Sequence, residues 1–279
     1  MNNKLFFDTT AVIDYIFKPE KIRVMKPLID RAEEIATTQY TLMELKKGYL
    51  DNLVFLYYRF SENDDLEDVL TYINNLSNTP RRNKLKTCLE TFTNLYKQNK
   101  QYYSELKVKD MIREIKELLR EMILDTSDNV DRLFNGNITN EMKCFKDLEF
   151  PYIKNAILTN DPTSCKDSKK ECNIKEFFEQ NKSAFENILI CLKNSHAPDN
   201  ETIKRIDSLE KFLKSLEIDS NDFSNKTLIR RHCWNCSDAI IAISAPNDYA
   251  ILNNNKRHFA PICEAINKES ITYQATTKK

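Results

Sequence analysis

Glycine is almost absent from this 279-residue chain: Gly48 and Gly136 are the only two. A dinucleotide-binding fingerprint or a phosphate-cradling loop needs several glycines where backbone meets ligand, so the shortage argues against a nucleotide-cofactor enzyme. Net charge is missing as well, with 42 Lys plus Arg against 42 Asp plus Glu. No global positive field draws in nucleic acid, and a polyanion has to be held by local basic clusters. No stretch approaches the roughly 18 apolar residues of a membrane-spanning helix. The opening Met1-Asn2-Asn3-Lys4 leads into a brief apolar run that Asp8 interrupts, unlike a signal peptide. A cytoplasmic protein is the expectation. Its eight cysteines then read as reduced thiols, since the chain is not of the small secreted type that depends on disulfides.

What is present suits a folded protein. Hydrophobic residues make up 41% and charged residues 30%, well inside the globular range, and the length allows one large domain or two ordinary ones. Lys4 to Phe7 is a short apolar run that predicts a buried strand delivering Asp8 at its C-terminal end. Thr9-Thr10 offers an N-cap for a helix from Ala11 to Phe17. Ile35 to Thr38 suits a second strand, and a helix beginning at Thr41 places Glu44 in its first turn. From about Leu50 to Leu213 the pattern turns helical, as in Val108 to Leu124 and Ile174 to Leu192, with polar loops over 126–139 and 160–172. Near the end, Leu216 to Asp219 predicts a strand, Lys226 to His232 a short helix, Asp238 to Ala245 an apolar helix and Tyr249 to Leu252 a buried strand. The tail from Thr272 to Lys279 reads as frayed.

Four pieces carry a resemblance. Leu5-Phe6-Phe7-Asp8-Thr9-Thr10-Ala11-Val12-Ile13-Asp14 resembles the first motif of PIN domains, a hydrophobic strand followed by Asp, any residue, and Ser, Thr or Asn. Thr37 to Gly48 is similar to the second, a Thr-flanked turn into a helix carrying Glu. Cys236-Ser237-Asp238-Ala239-Ile240-Ile241-Ala242-Ile243-Ser244-Ala245 looks like the family's Asp-Ala-aliphatic-Ile-Ala helix almost residue for residue. Ile251 to Phe259 resembles the closing strand-and-turn motif, although Asn253 stands where the family has Thr. All four occur in family order.

The resemblance implies a three-layer, PIN-like α/β domain with a mostly parallel central sheet over residues 1–50 and 205–279, interrupted by an all-helical insertion over 51–204. It implies a metal-dependent endoribonuclease, with Asp8, Glu44 and Asp238 binding Mg²⁺ or Mn²⁺ and Asn255 completing the catalytic set. The partners it implies are an RNA substrate, tRNA or mRNA, and an inhibitory protein, as for a toxin or defence effector; a homodimer is also expected. A structure-specific DNA nuclease and a degenerate domain that binds RNA or protein without cutting are the alternatives.

The chemistry agrees with these residue types. Phosphodiester hydrolysis calls for a hard divalent cation, and such a cation prefers oxygen ligands. Taken singly, each acid has a commoner fate: Asp8 and Asp238 as helix caps, Glu44 as a first-turn residue complementing the dipole. Taken jointly with the motif order, they point to a site. Thr10, Lys46, Lys47, Arg231, Lys256 and Arg257 are the candidate substrate contacts, with Arg230, His232 and His258 beside them and Trp234 or Tyr40 as a stacking surface for an unpaired base. Cys233-Trp234-Asn235-Cys236 has zinc-ligand spacing, but Cys165 and Cys172 complete it poorly, so plain thiols are the reading.

Overall fold

The computed structural model describes residues 3–63, 65–78, 82–98, 100–101, 106–142, 149–160, 173–194, 200–217 and 233–273. Two compact units emerge: one from residues 1–43, 131–148 and 164–279, the other from 44–130 and 149–163.

The first unit is α/β and contains a five-stranded, wholly parallel sheet. Its strands are β1 (Lys4–Phe7), β2 (Glu34–Thr38), β3 (Ile138–Thr139), β6 (Ala250–Asn253) and β7 (Ser270–Thr272), in spatial order β3-β2-β1-β6-β7. Central strand β1 pairs Phe6 with Ala36 on one side and with Ile251 on the other. Leu5, Phe6 and Phe7 are all buried, as a parallel strand covered on both faces requires. Successive side chains alternate between faces: Phe6 meets Tyr249 edge-on, whereas Phe7 meets Phe134 and Tyr15.

Helix α1 (Thr9–Phe17) follows β1 directly and is capped by Asp8, whose Oδ1 accepts from the Ala11 amide at 2.6 Å. The expected Thr9-Thr10 cap therefore moves back to Asp8, and both threonines lie inside the helix. Helix α2 (Pro19–Ile29) fills a stretch where two prolines suggest breaks. Pro19 sits in its first turn, where the missing N–H costs nothing.

The region expected to be wholly helical also supplies sheet. In the second unit, α3 (Gln39–Leu45) continues through a π turn (Lys46–Leu50) into α4 (Asp51–Glu62), followed by α5 (Leu66–Asn75), α6 (Arg82–Gln98) and the long α7 (Val108–Phe134). Helix α7 runs beyond Thr126 and stops where Asn135 and Gly136 adopt positive φ of 46° and 82°, the left-handed ending that glycine tolerates best. β3 follows at once, so the polar stretch 126–139 holds a helix end and an edge strand, not a loop. A hairpin, β4 (Tyr152–Lys154) with β5 (Ile157–Thr159), turns through Asn155 and Ala156, both at positive φ.

Each unit has its own core. In the first, Phe6, Tyr40, Ile240 and Ile251 share a cluster with Phe177, Phe185 and Phe212. These phenylalanines come from α8 (Ile174–Gln180), α9 (Lys182–Asn194) and α10 (Asn200–Glu217). Helices α11 (Ser237–Ser244) and α12 (Lys256–Ala265) complete the unit. In the second, Leu56, Phe60, Ile73, Ile115 and Leu119 pack together, and Phe60 stacks on Phe92. Leu216 and Glu217 close α10 instead of opening a strand; residues 218 and 219, the helix expected at 226–232 and the loop from 161 to 172 lie outside the described residues.

Candidate active site

In a parallel sheet of order β3-β2-β1-β6-β7, the connections run outward from β1 in one direction and from β6 in the other. The reversal falls between β1 and β6, and the crevice beyond the carboxyl ends of those two strands is where open α/β sheets bind ligands. Asp8 ends β1 at this position, and its backbone N–H donates to the Leu252 carbonyl of β6 at 3.1 Å. The carboxyl end of β6 carries Asn253-Asn254-Asn255, and Tyr273 joins from the end of β7 by donating its backbone N–H to the Asn253 carbonyl.

The three asparagines have separate tasks. Asn253 is fully buried; its Oδ1 accepts from the Asn255 amide at 3.0 Å and the Thr272 hydroxyl at 3.2 Å, and its Nδ2 donates to the Ile251 and Ile271 carbonyls. It braces the turn where the resemblance expects Thr. Asn254 donates to Asp14 Oδ2 at 3.0 Å. Asn255 opens α12 at its N-cap position without a side-chain cap bond, so it is the amide of the run that the turn itself does not use.

The sequence reading gave Asp14 no role, yet it organises this end of the sheet. It is fully buried, accepts from Asn254 Nδ2 and the Tyr273 hydroxyl, each at 3.0 Å, and pairs with Lys18 Nζ at 2.9 Å. The signal available in sequence was a single charged residue inside the apolar helix Thr9–Phe17. Burial holds the Tyr273 hydroxyl protonated far into the alkaline range, and the charges of Asp14 and Asp8 reinforce the effect. Asp8 and Asp14 thus share Tyr273 as a neighbour.

Asp238 lies in the first turn of α11, one residue inside the helix, while Cys236 takes the cap position. Its Oδ2 stands 2.9 Å from Arg205 Nη2 of α10 and 3.4 Å from His258 Nδ1 of α12, and Arg205 also contacts that His258 nitrogen. Three helices therefore converge on one carboxylate. A shallow cleft walled by Ile188, Leu192, Leu209 and Ile262 opens beside Arg205 and Asp238.

Glu44 falls in the second unit, which begins with it. It is buried and is the sixth residue of α3, so the first-turn position expected for it is corrected: α3 starts at Gln39, two residues before Thr41. Lys46 is also buried and donates to the Glu149 carbonyl, and Lys47 is half-buried. Thr10, Lys256 and Arg257 are exposed; Arg230, Arg231 and His232 lie outside the described residues. Tyr40 is removed as a stacking surface, because it is fully buried and its hydroxyl donates to the Cys233 carbonyl at 3.1 Å. Trp234 is 37% exposed and keeps that option. Cys233 and Cys236 are buried free thiols in the apolar core, and burial pushes Cys236 up to about 12. Cys165 and Cys172 lie outside the described residues.

The oxygen donors of Asp8, Asp238 and Asn255 are of the kind a hard divalent cation takes. Their arrangement is less gathered than their chemistry: among the described residues no group of three or more His, Cys, Asp or Glu side chains stands together as a metal cage. Asp8 has Asp14 and Tyr273 as charge neighbours, whereas Asp238 has Arg205 and His258. Among the described residues, no helix is long and apolar enough to cross a membrane. Comparison with known protein families, with curated proteins and with solved structures gives no match.

Proposed function

We propose that this chain is a divalent-metal-dependent endoribonuclease built on a three-layer, PIN-like α/β domain. The observation that carries the reading is the place of Asp8: the carboxyl end of the central strand, at the reversal point of a parallel sheet, bonded through its backbone to the strand that ends in Asn253-Asn254-Asn255. Motif order adds Asp238 and Glu44 as the further acids. A bound Mg²⁺ or Mn²⁺ supplies a water of lowered pKa and neutralises charge on the phosphate.

The chain's own residues have the remaining work. The cap bond to Ala11 fixes the Asp8 carboxylate. The Asp14–Asn254 bond and the Asn253 brace hold the turn that presents Asn255 at the start of α12. Lys256 and Arg257, exposed in the first turn of that helix, are suited to phosphate contact, as is the positive end of the helix itself. Trp234 offers a face for an unpaired base.

The second reading, a domain that binds RNA without cutting, is favoured by one observation, the engagement of Asp238 with Arg205 and His258. Incubation with labelled RNA and labelled DNA in Mg²⁺, Mn²⁺ or EDTA separates the readings. Metal-dependent cleavage of RNA that EDTA stops is the expected result. Cleavage of DNA alone moves the substrate class, RNA retention without cleavage selects the binding module, and neither binding nor cleavage overturns the proposal.

A further inference from the structure

The carboxylate assigned to metal on the reading above already has an internal cation. Arg205 Nη2 stands 2.9 Å from Asp238 Oδ2, and the two side chains are only 19% and 29% exposed. Arg205 is delivered by α10, whose Leu209 and Phe212 are buried in the unit's core cluster, so the guanidinium hangs from a fixed element. His258 Nδ1 approaches the same oxygen at 3.4 Å from a third helix. A hard divalent ion and a guanidinium compete for the same lone pairs of a carboxylate. The dispersed arrangement of the acids then has a physical cause: Asp238 is turned to Arg205, and a cation that recruits it has to break this pair first.

We propose that Arg205 is a latch on Asp238 that sets the affinity of the nuclease centre for its divalent ion. The inference rests on the reading of Asp238 as a metal ligand. Loss of the guanidinium leaves a carboxylate with weaker competition, so metal binding tightens; a lysine at the same place keeps the charge and restores much of the competition.

The test is titration of the full-length protein with Mn²⁺ alone, followed by the paramagnetic signal of the free ion and by calorimetry. The proteins are the parent and the Arg205→Gln, Arg205→Lys, Asp8→Asn and Asp238→Asn variants. Arg205→Gln is expected to bind Mn²⁺ about three- to tenfold more tightly than the parent, the scale of a partly buried ion pair, with Arg205→Lys close to the parent. Circular dichroism confirms that each variant is folded, and Lys in place of Arg controls for packing of the side-chain stem. Equal or weaker binding by Arg205→Gln, while Asp8→Asn and Asp238→Asn both lose Mn²⁺, overturns the latch and leaves the metal site standing. Binding that neither aspartate substitution weakens overturns the metal site and the latch together.

Discussion

Asp14 makes the sharpest stability prediction. It is fully buried and holds two donors that have no route to bulk water, the Tyr273 hydroxyl and the Asn254 amide, each at 3.0 Å. Its third partner, Lys18, has a side chain 23% exposed and can turn outward. Asp14→Ala orphans both donors at about 1–3 kcal/mol each, while release of Lys18 to solvent offsets part of the loss of its ion pair. A destabilisation of about 3 kcal/mol follows. Asp14→Asn is expected to fall between the parent and Asp14→Ala, because one amide oxygen replaces two acceptors and the new NH₂ confronts a donor. Tyr273→Phe removes a donor without stranding it and costs about 1 kcal/mol. The double substitution Asp14→Ala with Tyr273→Phe costs less than the sum of the two, since they share one bond. Urea unfolding followed by circular dichroism measures all four. If Asp14→Ala unfolds within about 0.5 kcal/mol of the parent, this buried network is not what holds the turn after β6.

Three other outcomes are open to measurement. Tyr273 is raised above the ordinary tyrosine range, and Tyr249 is raised to about 12, both chiefly by burial; the folded chain keeps these protons while the unfolded chain loses them. Their contribution is therefore complete below about pH 10 and declines above it, so thermal unfolding temperatures should fall from pH 9.5 to 11, less steeply in Tyr273→Phe. Lys268 donates to the carbonyls of Ala242 and Ile243 at 2.9 and 3.0 Å and to that of Ala245, closing the C-terminal end of α11; Lys268→Met keeps the stem but strands these acceptors, and about 1–3 kcal/mol of stability should be lost in the same unfolding assay. Burial pushes the thiols of Cys88 and Cys236 up to about 12 and that of Cys263 up to about 11, so peptide mapping after brief alkylation at pH 8 should find all three unmodified, and fully labelled in urea.

The strands that fix the site were legible because they are continuous apolar runs. Lys4 to Phe7 and Ala250 to Leu252 announce burial on both faces, and Asp8 ends the first of them. Edge strands gave no such signal. Ile138–Thr139 is two residues long and follows a polar turn, and Ser270–Thr272 is half-buried throughout, so each owes its strand conformation to the partner beside it. Helix α2 was hidden by Pro19 and Pro27, since composition alone does not tell a proline in the first turn from one that ends a helix. At the site, motif order pointed to Asp8, Asp238 and Asn255, but the residues that position them were out of reach of sequence: Asp14 meets Tyr273 across 259 positions, and Arg205 meets His258 across 53. Such pairs are created by the sheet order and the converging helices, and no local pattern encodes them.

The most direct test is cleavage of labelled RNA in Mn²⁺ by the parent protein and by its Asp8→Asn and Asp238→Asn variants, each shown by circular dichroism to retain the parental fold. Both variants should be inactive, because each loses an anionic oxygen donor for the cation. Undiminished cleavage by both would contradict the account.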